Sequence, residues 1–168
     1  MTRHSSPTCR DGFSMLELVI SILIMAILAA VAIPRISNRL DDYQAQAAAE
    51  RLAADLKFAA EYARTHGTTE TITFSTDRDL YSFSSVMNPD NTGQIYEIVL
   101  TDAPYSTHLT EVWRVDDSGT RIAPATSISF SGWGFAPSNY AIQVRANEEI
   151  RTVRVTAASG TVEVEDGK

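Results

Sequence analysis

Glu17 is the residue near the N-terminus that most needs a chemical explanation, because it is the only charged side chain between Phe13 and Ile33. The other residues of this stretch are apolar or small. A charged group at the centre of a membrane segment costs about 2.5–3.5 kcal/mol, so an intramembrane carboxylate usually has a partner or a function. Glu17 is therefore the first candidate functional residue.

The apolar stretch from Phe13 to Ile33 has the length of a membrane span. Twenty-one residues form about 31 Å of helix, and the hydrocarbon core of a bilayer is about 30 Å thick. Arg3 and Arg10 precede the stretch, and the excess of positive charge on that side keeps the N-terminus in the cytoplasm. Pro34 follows the stretch directly and predicts a kink in a helix that continues beyond it.

Cleavage between Gly12 and Phe13 would create a partner for Glu17. The new α-amino group has a reference pKa of about 7.7–8.0, so it is a cation beside the apolar segment. An ammonium from one subunit and Glu17 from its neighbour can pair in a low dielectric, and each then removes the desolvation cost of the other. This pairing would fix the axial register between packed helices.

The N-terminus resembles the class III signal of type IV pilins and type II secretion pseudopilins. The resemblance rests on a short polar leader that ends in Gly12, on Phe13 directly after it, and on Glu17 four residues further on. Pro34 stands where these proteins commonly carry a helix-kinking proline, whereas Met15 replaces the usual leucine. The resemblance implies that a prepilin peptidase cuts between Gly12 and Phe13 and methylates the new N-terminus. It also implies that the N-terminal helix packs against the helices of other pilins or pseudopilins.

Two other interpretations of the N-terminus are open. An ordinary secretory signal would use Arg3 and Arg10 as its basic region and would be cut after Ala30-Val31-Ala32. A simple one-pass anchor is the second. The apolar stretch is longer than the usual 7–15 residues of a signal peptide, and a simple anchor explains neither the Gly12-Phe13 pair nor Glu17.

The residues after Pro34 predict an amphipathic helix that packs on a sheet. Apolar residues recur at intervals of three and four, which marks one buried stripe. We predict one helix from Ser14 to Thr65, kinked at Pro34 and ended by Gly67. The predicted buried stripe consists of Ala45, Ala48, Leu52, Leu56, Ala59 and Ala63. The predicted solvated face consists of Asp41, Asp42, Gln44, Gln46, Glu50, Arg51, Asp55, Lys57, Glu61 and Arg64.

From Thr68 onward the apolar pattern changes to a period of two, which indicates β-strands. Residues 89–93 are predicted as a loop. The predicted fold class is α+β, with a long kinked N-terminal helix, membrane-spanning in its first half, packed on a C-terminal antiparallel β-domain. The predicted segments are a leader (1–12), a helix (13–66, of which 13–33 cross the membrane) and a periplasmic domain (67–168). We predict eight short strands, at residues 69–75, 80–86, 95–100, 109–115, 127–131, 140–145, 150–156 and 161–164.

The second half of the sequence is similar to the H-type pseudopilins and the FimT-type minor pilins. The similarity includes the alanine-rich helix from Leu52 to Ala63, followed by strands. It also includes the apolar strand Ile128–Phe130 before a glycine-containing turn, and a final hairpin with Ser159-Gly160-Thr161-Val162.

Charge and cysteine content exclude several classes of protein. The whole chain has a net charge of -7, and from Gly67 onward 7 Lys and Arg residues face 14 Asp and Glu residues. Such an acidic domain lacks the basic surface that binds a phosphate backbone. The only cysteine is Cys9, in the predicted leader, so we predict no disulfide and no cysteine-based metal site in the mature chain.

The sequence predicts neither an enzyme nor a cofactor site. His66 and His108 lie 42 residues apart, which is poor spacing for a metal site or a catalytic triad, and His66 is better placed to stabilise the helix C-terminus. Asp77 with Asp79, and Asp116 with Asp117, lack the glycine and glutamate of an EF-hand loop. We predict them to be solvated turn residues. Trp113 and Trp133 are predicted to pack in the core or at a sheet edge, although the loop Gly132–Phe135 is also a candidate partner contact.

The resemblance implies a minor pseudopilin that supports protein export across the outer membrane. The alternative is a minor type IV pilin of pilus biogenesis or DNA uptake, although the acidic C-terminus (Glu163–Lys168) argues against a role in DNA binding. A third hypothesis is a periplasmic binding domain or enzyme released by signal cleavage. The expected partners are other pilins or pseudopilins, the prepilin peptidase, the inner membrane and secreted cargo. The expected location is the bacterial inner membrane and the assembled pseudopilus.

Overall fold

The structure, a computed structural model, describes residues 14–167, apart from the side chains of residues 31–38 and of residue 92. The described residues form two compact units, which divide between residues 38 and 39. Helix α1 (Met15–His66) contributes to both. The predicted kink at Pro34 falls among the residues whose side chains are not described.

In the second unit, α1 buries an alanine-rich stripe. All six residues of the predicted stripe, from Ala45 to Ala63, are fully buried. Gly67 follows the helix with a φ of 64°, and the amide of Thr68 donates to the carbonyl of Ala63 at 3.2 Å. This pairing is the Schellman arrangement that ends many helices, and glycine adopts its left-handed conformation without a steric penalty.

Two antiparallel sheets follow the helix. The first sheet has the strand order β3-β2-β1-β6, and the second has the order β5-β4-β7-β8-β9. Among the described residues there are nine strands: β1 (Glu70–Ser75), β2 (Leu80–Asn88), β3 (Asn91–Val99), β4 (His108–Val115), β5 (Arg121–Pro124), β6 (Ser127–Phe130), β7 (Asn139–Ala146), β8 (Glu149–Val155) and β9 (Val162–Asp166).

The segment from β5 to β6 joins the two sheets. The amide of Ala125 donates to Val112 in β4, whereas the amide of Phe74 in β1 donates to Thr126, both at 2.8 Å. One continuous cluster of buried residues contains side chains from α1 and from both sheets. Because the helix contributes mainly alanines to that cluster, strands can approach its backbone closely.

The predicted fold class, an N-terminal helix packed on antiparallel sheets, is confirmed. Three details of the prediction were wrong. Strand β5 was missed, and β3 begins at Asn91, inside the predicted loop 89–93. Asp55 was assigned to the solvated face of the helix but is only 7% exposed, because side chains from both α1 and β2 cover it.

The membrane prediction concerns residues that the structure describes only in part. Within the described residues, we find no helix long and apolar enough to cross a membrane. The predicted span begins at Phe13 and includes the side chains of residues 31–33, which lie outside that part.

Candidate assembly site

The described part of the first unit begins at the N-terminal end of α1. Gly12 and Phe13, the predicted cleavage pair, lie outside the described residues, as does the side chain of Pro34. Ser14 precedes the first turn, where its carbonyl accepts from the amide of Leu18 at 3.1 Å. Its hydroxyl accepts from the amide of Leu16 at 3.4 Å. Ser14 is therefore the N-cap residue of the helix.

Glu17 lies in the first turn of α1, and its side chain is exposed. A carboxylate is favourable there because it faces the positive end of the helix dipole. The hydroxyl of Ser21 donates to the backbone carbonyl of Glu17 at 2.7 Å and leaves the carboxylate available. The large apolar residues from Met15 to Leu28 are 48–83% exposed in this single chain. The segment thus presents one acidic group within a continuous apolar surface.

In the second unit, a polar network joins α1 to the first sheet. Asp55 accepts a hydrogen bond from Nε of Arg51 at 2.9 Å and another from the hydroxyl of Tyr81 at 2.7 Å. The guanidinium of Arg51 also donates to the hydroxyl of Tyr96. Tyr81 lies in β2 and Tyr96 in β3. The network therefore fixes the rotation of the helix relative to these two strands.

Burial and charge shift the ionisation of this network. Burial, followed by the negative charge of Asp55, raises the pKa of Tyr81 well above its ordinary value. Burial by itself would lower the pKa of Arg51, but the hydrogen bond and the charge of Asp55 raise it above its ordinary value. Tyr81 therefore stays a neutral donor and Arg51 a cation. Arg51 and Asp55 lie four residues apart, a spacing at which opposite charges on a helix can pair, and the two tyrosines add hydrogen bonds from the sheet to this pair.

Arg151 in β8 forms a second connection, to the part of α1 near Arg39. Its guanidinium donates to Gln46 at 3.1 Å and to the carboxylate of Asp42. The side chain of Arg151 is only 13% exposed, whereas that of Asp42 is 54% exposed. In the turn between β7 and β8, the side-chain amide of Asn147 donates to the carboxylate of Asp41 at 3.0 Å. These bonds hold the start of the helix in this unit against the β7–β8 hairpin.

Replacing Arg151 by alanine is expected to loosen the helix around Asp42 and Gln46 without unfolding the domain. The lost charge-assisted bonds are partly exposed, so we expect a loss of about 1–2 kcal/mol in local opening free energy. Amide hydrogen exchange should accelerate between residues 41 and 48. Arg114→Ala is the matched control, because Arg114 is exposed and forms no ion pair among the described residues. Equal exchange in both variants would contradict this role.

His66 and His108 both form local polar contacts, at the end of α1 and beside Asp79. Nδ1 of His66 lies 2.9 Å from the carbonyl of Tyr62, and their rings stack at 4.0 Å, consistent with the predicted role at the helix end. Asp79 is not the solvated turn residue that we predicted. Its carboxylate accepts from the amide of Leu109 at 2.8 Å and lies 2.9 Å from Nδ1 of His108. Among the described residues, we find no group of three or more His, Cys, Asp or Glu side chains that could hold a metal ion.

Asp116, in contrast, is an exposed turn residue, as predicted. Hydrogen bonds, first from the hydroxyl of Ser118 and then from the amide of Thr120, lower the pKa of Asp116. The carboxylate thereby orders the turn between β4 and β5.

The two tryptophans have different environments. Trp113 is partly buried, and the guanidinium of Arg121 lies 5.2 Å from the centre of its ring. Trp133 is 79% exposed, so the prediction that it packs in the core or at a sheet edge was wrong. Sequence composition cannot distinguish a buried tryptophan from one presented by a loop. The flanking glycines Gly132 and Gly134 were the available signal.

Comparison with known proteins gives two family matches. Residues 8–33 match the prokaryotic N-terminal methylation motif, and residues 48–160 match the family of the type II transport protein GspH. Both matches confirm the resemblance seen in the sequence. No curated protein matches the sequence significantly.

Solved structures of two pilin-like proteins share the fold. The minor pseudopilin EpsH from the type II secretion system of Vibrio cholerae is 13% identical, with a TM-score of 0.54 over 76% of this chain and 99% of that chain. The type IV minor pilin FimU of Pseudomonas aeruginosa is 17% identical, with a TM-score of 0.52 over 73% of this chain and 89% of that chain. At these identities the likeness concerns the fold alone.

Proposed function

Because this chain belongs to the GspH family of type II transport proteins, we propose that it is a minor pseudopilin of a type II secretion system. In this role it is a structural subunit of a short filament that supports protein export across the outer membrane. The observation that carries the proposal is the family match over residues 48–160, joined to an N-terminal methylation motif over residues 8–33. The first match identifies the domain, and the second supports its route of processing.

The proposed assembly mechanism follows from the N-terminal residues. The precursor is anchored in the inner membrane with its leader in the cytoplasm and its β-domain in the periplasm. A prepilin peptidase cuts between Gly12 and Phe13 and methylates Phe13. The subunit then exchanges lipid contacts for helix contacts, and Glu17 pairs with the N-terminal amine of a neighbour. Pro34 allows the helix to bend between the filament core and the domain.

The alternative, a minor type IV pilin, has weaker support. The likeness to FimU concerns the fold alone, as does the likeness to EpsH, whereas the GspH match concerns this sequence itself. The acidic domain also lacks the basic surface that binding to DNA requires. Exported proteins are therefore the expected cargo of the system, and nucleic acid is not.

Deleting the gene and restoring it with variants tests the proposal. The deletion strain should retain proteins in the periplasm that the wild type exports, and the native gene should restore export. The intact mass of the restored protein should correspond to a methylated chain that starts at Phe13. Gly12→Asp should keep the leader and fail to restore export, because it replaces the glycine that directly precedes the proposed cut.

Two results would contradict this proposal. A native chain that starts at Met1 or at Ile33 would exclude pseudopilin processing. Normal export in the deletion strain, with a defect confined to surface pili, would favour the minor pilin instead.

A further inference from the structure

Glu70, the first residue of β1, is a fully buried carboxylate that bonds to the backbone of β2. Its Oε1 atom accepts hydrogen bonds from the amides of Ser84 and Ser85, at 2.8 and 3.0 Å. Its Oε2 atom is buried as well and has no hydrogen-bond partner among the described residues. Burying a polar atom without a partner costs free energy, so the presence of a carboxylate here needs an explanation.

The regular pairing of β1 with β2 ends directly beside Glu70. The last backbone pair on this side is Ile72 with Phe83. Beyond that pair, side chains replace the backbone groups of the ladder, since the amide of Thr71 donates to the hydroxyl of Ser84 at 3.0 Å. Strand β1 itself continues, because it pairs with β6 as far as Glu70. Strand β2 therefore leaves β1 at Ser84.

The pairing of β2 with β3 is interrupted at the same place. Ser82 pairs with Glu97, and the next pair is Met87 with Ile95, so β2 advances five positions where β3 advances two. Extra residues on one strand form a bulge, which bends that strand and disrupts the ladder. Buried amides that lose their ladder partners need other acceptors. The carboxylate of Glu70 is the acceptor for two of them.

Residues 84–95, here called the hairpin end, lie mostly in solvent. No described side chain of the hairpin end is fully buried, although that of Val86 packs against the core. Met87 and Ile95, which face each other across the two strands, are 57% and 52% exposed. Apolar packing therefore gives this segment little support, and its direction depends largely on the polar bonds at its base.

We propose that Glu70 is a positioning residue, whose carboxylate holds the amides of Ser84 and Ser85 and thereby sets the direction in which the hairpin end leaves the first sheet. Its unpartnered oxygen argues against a role in stability alone, because a partly satisfied buried polar group is less favourable than an apolar core. What Glu70 provides is one acceptor for two successive amides. Neither these bonds nor the bulge involves the N-terminal residues, so this role does not rest on the proposed function.

Replacing Glu70 by leucine removes the acceptor and fills the space with apolar atoms. The amides of Ser84 and Ser85 then have to reach water, because a buried amide without a partner is costly. Both residues have exposed side chains, so a change in the direction of the hairpin end brings their amides to solvent. Glu70→Gln keeps an acceptor oxygen of the same reach. We therefore expect Glu70→Leu to move the hairpin end and Glu70→Gln to leave it in place.

Distances between paired spin labels test this expectation on the full chain in detergent. Cys9 is the only cysteine, so a Cys9→Ser background carries labels only at two introduced cysteines. The first pair replaces Asp90, in the hairpin end, and Lys57, which is exposed on α1. Glu70→Leu should shift the mean distance of this pair by about 3 Å or more, the rise of one strand residue, and Glu70→Gln should not. A control pair, at Lys57 and the exposed Thr110 of β4, should keep its distance in both variants.

Amide exchange, followed by NMR in the same detergent, tests the hydrogen bonds themselves. In the wild type and in Glu70→Gln, the amides of Ser84 and Ser85 should exchange slowly although both side chains are exposed. In Glu70→Leu they should exchange about tenfold faster, as expected for the loss of one hydrogen bond each. The amide of Ile142, in the second sheet, is the control and should exchange at one rate in all three proteins.

Four results would overturn the proposal. The first is a wild-type distance from the hairpin end to Lys57 in Glu70→Leu. The second is an equal shift in Glu70→Gln and Glu70→Leu, because the shape of the side chain rather than its acceptor would then set the direction. The third is rapid exchange of the Ser84 and Ser85 amides in the wild type. The fourth is loss of cooperative melting in Glu70→Leu, which would make Glu70 a requirement for folding instead of a positioning residue.

Discussion

Replacing Glu17 by alanine is expected to leave the precursor anchored and processed but to exclude the subunit from the filament. Glu17 is the only charged group of residues 14–30, and the structure leaves its carboxylate available among exposed apolar side chains. Once helices pack around it, a neighbour's N-terminal ammonium has no other anionic partner in this segment. Removing one member of a buried ion pair costs about 3–5 kcal/mol. Since 1.4 kcal/mol is about tenfold in an equilibrium constant, incorporation should fall at least about a hundredfold.

Two variants separate the charge of Glu17 from its shape. Glu17→Gln keeps the size and the hydrogen-bonding oxygen but not the charge, so it should also prevent incorporation. Ser21→Ala removes only a hydroxyl that bonds the backbone of Glu17, and it should assemble normally. The measurements are the intact mass of each variant and its share in purified filaments. If Glu17→Ala were processed and incorporated like the wild type, the pairing with the neighbour's amine would be wrong.

The helix and most strands could be predicted because each follows a simple repeat. The six stripe residues of α1 recur at helical spacing, and all of them are buried. Strand β1 alternates buried and less buried residues at the predicted positions. These patterns arise because one face of each element must leave water, and that requirement is local in sequence. The fold class could therefore be predicted from these local patterns.

The features that could not be predicted depend on contacts between distant residues. The sequence pattern assigns Asp55 to the exposed face of the helix, whereas in the structure it is buried and bonded to Tyr81, 26 residues later. Strand β5 is four residues long and largely exposed, so it lacks an alternating pattern and depends on its pairing with β4. Trp133 is exposed because Gly132 and Gly134 fix its loop against the helix end. The contacts that bury Asp55 and fix the loop of Trp133 join residues far apart in the sequence, whereas β5 pairs with the nearby β4 but lacks an alternating apolar pattern.

Most residues of the candidate assembly site could not be compared with the structure, because they lie at the N-terminus. Gly12, Phe13 and the side chain of Pro34 are outside the described residues, so their roles stay predictions from the sequence. The match of residues 8–33 to the N-terminal methylation motif supports processing in this region. Glu17 is described, but the partner that we propose for it belongs to another subunit. A single chain therefore does not test the proposed pairing of Glu17 with the N-terminal amine.

Replacing Asp55 by alanine is expected to destabilise the folded domain more than any surface substitution. The change leaves the hydroxyl of Tyr81 buried without its acceptor and Arg51 without its ion-pair partner. The side chain of Arg51 is 38% exposed, so water compensates part of its charge. We therefore expect a loss of about 3 kcal/mol in the free energy of unfolding, measured by urea denaturation of the full chain in detergent.

A double-mutant cycle distinguishes the network from simple packing. Arg51→Met with Asp55→Leu removes both charges and fills the space with apolar atoms, so it should cost less than the sum of the two single changes. Glu50→Ala is the control on the same helix, since Glu50 is exposed and its replacement should change stability by less than about 0.5 kcal/mol.

If Asp55→Ala unfolded at the same urea concentration as Glu50→Ala, the network would not hold the helix to the sheet. A cost for Asp55→Ala with strictly additive single changes would instead mean that Asp55 acts through Tyr81 alone. In that case the helix would be held by one hydrogen bond to β2 rather than by an ion pair shared between β2 and β3.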